Sequence, residues 1–195
     1  MRFKSTYVGK NFSAKNRLGR ALWILVYNIF FRFSPKPLSG WRNFILKTFG
    51  ATIGREVIVY PGAKIWAPWN IKLADRSAIA NGATLYSQDV IAVGEGAVIS
   101  QGAYLCAGTH DYNHPAFPLV TTPIEIGSFA WIAAEAFIHP GVHIGEGCVI
   151  GARSVVIKDM PAWMVCAGNP CQPLKSREKE KFLSQQDLTQ PIFTG

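Results

Sequence analysis

The sequence predicts a mainly β chain wound as a stack of triangular coils, and three observations carry that prediction. First, Ile, Leu or Val recurs at a six-residue step through Ile53, Val59, Ile65; Leu73, Ile79, Leu85; and Val93, Ile99, Leu105. After an interruption the step resumes with Ile126, Ile132, Ile138, Ile144, Ile150 and Val156. Second, the residue four places later is usually small, as at Ala63, Ala83, Ala103, Ala136 and Ser154. Third, glycines such as Gly54, Gly82, Gly94, Gly127 and Gly145 fall between these positions, where corners need tight approach or unusual backbone angles. Neither the 3.6-residue helix repeat nor the two-residue strand repeat gives this step. Six residues suffice for one short strand and one corner. Three such units make a coil of about 18 residues, and stacked coils hydrogen-bond at about 4.8 Å.

The elements follow in order. Residues 1–50 form a separate basic and aromatic extension. They hold ten Lys and Arg and no Asp or Glu, so the formal net charge of +8 belongs to this end of the chain. Within it, ALWILVYNIFFRF (residues 21–33) reads as a helix, too short to span a bilayer, which takes about 20 apolar residues. Two destinations fit it: packing against the body of the protein, or peripheral contact with a membrane surface. The aromatic content fits nucleic acid least.

Residues 51–172 carry the coils, about five in number. From Ile53 to Leu73 and from Leu73 to Val93 each coil takes twenty residues, with the two extra after the third face. After Leu105 the third face is followed by a much longer excursion, GTHDYNHPAFPLVTTP (residues 108–123). All three insertions therefore leave from one edge of the prism. From Asp159 onward the rhythm ends, residues 174–188 read as an amphipathic helix, and residues 173–195 form a C-terminal helix and tail. Cys106, Cys148, Cys166 and Cys171 form no CxxC pair, so neither a disulfide framework nor a zinc knuckle is signalled. A reducing cytoplasm is the expected location, at the inner face of the membrane if the N-terminal segment touches lipid.

The segment IGSFAWIAAEAFIHPGVHIGEGCVIGARSVVIKDMPAWMVCAGNPCQPLK (residues 126–175) is similar to the closing part of the maltose, galactoside and nodulation O-acetyltransferases. LWILVYNIFFRFSPKPLSGWRNFILKTFGATIG, APWNIKL and ISQGAYLCAGTHDY are closer still to the colanic acid biosynthesis acetyltransferases. The chain thus resembles the hexapeptide-repeat acyltransferases over residues 51 to about 175. The resemblance implies a left-handed parallel β-helix, an exception to the right-handed crossover rule. It further implies acetyl-coenzyme A as acyl donor, a sugar or glycan acceptor, and a homotrimer with active sites between neighbouring chains.

Moving an acetyl group from a thioester to a hydroxyl needs a base but neither a metal nor an enzyme nucleophile, because the thioester is already activated. Histidine suits that task, being largely neutral near pH 7. His110 lies seventeen residues after Val93, the interval at which the similar enzymes carry their catalytic histidine. The expected roles are His110 as general base, with Asp111 orienting its imidazole, binding a sugar hydroxyl or forming a turn. His114, Asn81 and Asp89 are the expected acceptor contacts. For the cofactor, the resemblance places Trp131 at the thioester end, Ala133 and Ala134 along the pantetheine arm, and Ala152, Ile157 and Lys158 beside the remainder. Lys175 stands near the nucleotide phosphates. Where the family has Arg or Lys after the NP turn, this chain has Gln172. His139 and His143 have i, i+4 spacing, but the six-step puts them on different faces, so no metal site is expected. Competing readings are transfer of another acyl group or to a sugar amine, a zinc hydratase of the same coil, and a non-catalytic scaffold.

Overall fold

The structure is a computed structural model and describes residues 7–8 and 12–184. Its body is a triangular solenoid of parallel strands. The first face stacks Thr52–Ile53, Ile71–Leu73, Ile91–Val93, Ile124–Ile126 and His143–Ile144. The second stacks Ile58–Val59, Ala78–Ile79, Val98–Ile99, Trp131–Ile132 and Val149–Ile150, and the third Lys64–Ile65, Thr84–Tyr86, Tyr104–Cys106, Phe137–Ile138 and Val155–Val156. Register is in phase with the sequence repeat. Ile53, Leu73, Val93, Ile126 and Ile144 are successive partners on the first face. All fifteen six-step aliphatics are at most 7% exposed, so the repeat records which side chains point inward.

The stack is longer than five coils. Met160 bridges to Ile144, and Met164–Gly168 runs parallel to Val149–Ile150 with Cys166 opposite Ile150. Met160 and Cys166, both buried, continue the inward positions into a sixth turn with non-aliphatic residues. The chain then reverses. Cys171–Ser176 pairs antiparallel with Met164–Gly168, so residues 174–176 are strand and helix α3 begins only at Lys179, spanning Lys179–Ser184. Residues 185–195, including the rest of the expected helix and the tail, lie outside the described residues.

Corner packing is tight. A Cβ at Gly94 would stand 2.5 Å from the Ser128 amide nitrogen and 2.7 Å from the Gly127 carbonyl carbon in the coil above. Backbone cannot yield as a side chain can, so Gly94→Ala is expected to cost about 1–3 kcal/mol. Urea titration of the folded protein measures this.

The N-terminal segment caps the first coil. Helix α1 (Ala14–Val26) starts at Ser13, whose Oγ accepts from the Asn16 amide at 3.2 Å, and runs into a π-helical turn at Tyr27–Phe31. At 100° per residue, eight α-helical residues overshoot two turns by about 80°. The wider turn brings Phe31 back under Trp23, and both are buried with rings 5.7 Å apart. Trp23 Nε1 donates to the Ile65 carbonyl at 2.7 Å, fastening α1 to the prism.

Helix α2 (Ser39–Thr48) places Arg42 under the first coil, fully buried. Its Nε donates to the Val59 carbonyl at 2.5 Å, Nη1 to Ser34 Oγ at 2.9 Å and the Pro35 carbonyl at 2.8 Å, and Nη2 to the Lys36 carbonyl at 2.6 Å. Burial among these neutral acceptors draws its pKa below the ordinary arginine value. One of the ten cations of the basic extension is therefore an internal strut.

Candidate active site

The excursion is itself a hairpin. Gly108–His110 pairs antiparallel with Leu119–Thr121, and Tyr7–Val8 adds a third strand against Thr121 and Val120. The connecting turn is closed by the Asp111 amide donating to the Pro118 carbonyl at 3.0 Å. Asp111 Oδ1 accepts from the Asn113 amide at 3.0 Å, an Asx turn, and His114 Nδ1 accepts from the Ala116 amide at 3.1 Å. Both side chains are thus engaged in shaping the turn.

His110 is exposed, and its ring stacks on Phe117 with centroids 4.6 Å apart and planes 6° off parallel. Its Nδ1 lies 2.8 Å from the Phe117 carbonyl oxygen. A carbonyl only accepts, so Nδ1 carries the proton and Nε2 presents its lone pair outward. The group that sets this tautomer is a backbone oxygen. Asp111 makes no ion pair with His110 among the described residues.

One coil below, Asp89 is 7% exposed; Oδ1 accepts from the Val90 amide at 2.7 Å, while Oδ2 is buried without a partner. Gln88 beside it shows the same feature. Its Nε2 donates to Tyr86 Oη at 2.9 Å, whereas Oε1 is buried without a partner and lies where a Cβ on Gly108 would be. Both oxygens are closed to solvent, and that of Gln88 is packed against Gly108. Gln88 went unremarked in the sequence; its only signal was its place in the two-residue bulge ahead of Asp89.

The strand order assigns each expected site residue to an edge. Asp89, His110 and His114 lie at the edge between the third and first faces, as do Ile157 and Lys158 two coils above. Asn81, Ala133, Ala134 and Ala152 lie at the edge between the second and third faces. Trp131, 47% exposed, projects from the second face, which in a triangular prism is opposite the edge bearing His110; its Nε1 donates to Ser100 Oγ at 2.8 Å. Asn81 Oδ1 accepts from the Gly62 amide at 2.8 Å, one coil down. Within one chain, then, His110 and Trp131 do not meet. Lys158 Nζ donates to Gln172 Oε1 at 3.0 Å, so the amide standing in the place of the family cation holds a neighbouring lysine. Lys175 is exposed on the final strand. His139 and His143 are separate: His143 Nδ1 lies 3.5 Å from Glu125 Oε2, and His139 packs on Phe137. Among the described residues no three His, Cys, Asp or Glu side chains come together as a metal site.

The family model for the bacterial transferase hexapeptide (six repeats) matches residues 123–158. The Escherichia coli (strain K12) protein named "Putative colanic acid biosynthesis acetyltransferase WcaF" is 42% identical over 170 residues, covering 87% of this chain and 93% of that protein. This chain belongs to the hexapeptide-repeat acyltransferase family. Galactoside O-acetyltransferase of Escherichia coli, a further relative, is 32% identical over 158 residues, 77% of each chain. Among solved structures, a galactoside acetyltransferase in complex with coenzyme A matches with TM-score 0.81 at 24% identity, over 90% of this chain and 88% of that one. A maltose O-acetyltransferase from Clostridium difficile 630 matches with TM-score 0.77 at 25% identity, over 85% and 90%. The solenoid is the family's left-handed parallel β-helix, and the chain is an acyltransferase.

Proposed function

We propose that this protein transfers acetyl from acetyl-coenzyme A to a sugar hydroxyl of an exopolysaccharide or its lipid-linked precursor, with His110 as general base. The observation that carries the chemistry is the His110 ring, locked by the Phe117 carbonyl into the tautomer whose Nε2 can accept a proton. In this reading Nε2 takes the hydroxyl proton as the sugar oxygen attacks the thioester carbonyl, and returns it to the departing thiolate. The Phe117 carbonyl steadies the imidazolium formed between the two steps. The 42% identical relative and the 32% identical galactoside enzyme support an acetyl donor and a sugar acceptor.

The residues present fit the donor. Ala133, Ala134 and Ala152 offer no bulk along their edge, so an extended arm can approach the backbone. The Gln172 amide holds Lys158 without neutralising it, leaving Lys158 and Lys175 to meet anionic phosphates.

The division of these residues between two edges and an opposite face supports a homotrimer. A head-to-tail threefold ring brings the His110 edge of one chain against the alanine-lined edge of the next, and it closes without leaving a free interface.

Asp89 is assigned to an acceptor hydroxyl, which would donate to its Oδ2 once the side chain turns outward from its buried position. Asp89→Asn should raise the acceptor KM by about tenfold or more, the worth of a hydrogen bond to a charged group. The KM for acetyl-coenzyme A should stay near the parent value. The overall reading is tested by thiol release from acetyl-coenzyme A with a panel of sugars, followed by mass analysis of the product. Release that depends on no sugar hydroxyl would defeat it.

A further inference from the structure

The capping helices bury one side and leave the other both apolar and unpartnered. Trp23 and Phe31 face the prism, while Leu18, Leu22, Leu25 and Ile29 recur at i, i+4, i+7 and i+11 on the solvent side, each more than half exposed. From α2, Trp41 and Phe44 are also exposed, with rings stacked 5.9 Å apart. Trp41 Nε1 donates to the Phe30 carbonyl at 3.0 Å, joining the two helices. Between them lies an apolar notch of about 160 Å³ lined by Val26, Phe30, Trp41 and Ile45.

Cations border this surface. Lys15 and Arg17 are exposed at one end of α1, Arg32 and Lys36 just past the π-helical turn, and Lys47 at the end of α2. The first acidic residue of the chain is Glu56. An apolar centre with a basic border, and no carboxylate in the segment, is the complement of a bilayer carrying anionic lipid: side chains enter the acyl boundary while Lys and Arg reach headgroup phosphates. A second copy docked face to face would set these cations against one another. A nucleic acid would meet aliphatic side chains at the centre of its contact, where it needs cations. None of the helices described is long and apolar enough to cross a membrane.

We infer that this helical face docks the protein onto an anionic bilayer surface, lying in the interface without spanning it. The helices pack on the first coil and His110 leaves the third. The hairpin therefore leaves the prism about 10 Å, two coil spacings, above the first coil, at the end of the molecule that carries the helices. The inference is independent of the acyl-transfer reading.

The full-length protein is floated with phosphatidylcholine vesicles and with vesicles that also contain phosphatidylglycerol. At low salt, partitioning should be at least about tenfold stronger onto the anionic vesicles and should fall as salt rises. The double variant L22E/L25E, altered only at exposed positions, should lose at least about tenfold in that partitioning. Its sedimentation and its rate on soluble acceptors should match wild type. Failure of wild type to bind either vesicle, or undiminished binding by the double variant, overturns the inference. So does a smaller assembly in L22E/L25E, which would assign the face to another copy of the chain.

Discussion

His110→Ala lowers kcat for acetyl transfer to a sugar hydroxyl by about 10²–10⁴, the usual contribution of a positioned general base. The KM for acetyl-coenzyme A should change little, because in the proposed reaction the ring acts on the acceptor. The fold should be unaffected: His110 is exposed, its ring stacks on and hydrogen-bonds to Phe117, and the hairpin is held by backbone pairing. Thiol-release kinetics on wild type and variant read this directly. A variant with full activity would remove His110 from the mechanism. His110→Gln is the sharper companion, since an amide can keep the hydrogen bond to the Phe117 carbonyl yet cannot take up a proton at neutral pH. It should be as inactive as His110→Ala.

The second large effect is structural. Arg42→Met removes the donors to the buried Val59 carbonyl and to three part-buried acceptors, Ser34 Oγ and the Pro35 and Lys36 carbonyls. A buried acceptor left without its donor costs about 1–3 kcal/mol, and the part-buried acceptors, which water can reach, add less each, for a total loss of about 3 kcal/mol. Thermal unfolding should begin roughly 5–10 °C earlier. Arg42→Lys should rescue little of this, because one ammonium cannot span acceptors arranged for a guanidinium fork. If lysine restored the wild-type transition, charge rather than fork geometry would be what the site requires.

What the sequence makes legible follows from what repeats. Inward positions admit a narrow set of side chains, so Ile53 to Val156 announce both the coil and its register. The last turn escapes notice because Met160 follows Val156 after only four residues, which breaks the six-residue phase, and because Met160 and Cys166 are residue types other than Ile, Leu and Val. Arg42 is indistinguishable in composition from its exposed basic neighbours. Its burial depends on where α2 crosses the first coil, a tertiary fact.

The site shows the same division. His110 stands out by its spacing from Val93, but the group that fixes its tautomer is a backbone carbonyl seven residues later, and backbone acceptors leave no mark in a sequence. Asp111, adjacent in the chain, turns its carboxylate to the Asn113 amide instead. The hairpin strands Gly108–His110 and Leu119–Thr121 are three residues each, too short to show alternation.

The account depends on an active site shared between chains, with the His110 edge of one prism facing the alanine-lined edge of the next. Subunit mixing tests that most directly. His110→Ala lacks the base, and Ala134→Trp blocks the groove; each homotrimer should be inactive. In a threefold ring, random equal mixing joins an intact His110 edge to an intact groove at about one site in four. Co-expressed and co-purified, the two variants should recover roughly a quarter of wild-type activity. Confirmed mixed assemblies that stay inactive would contradict the shared site.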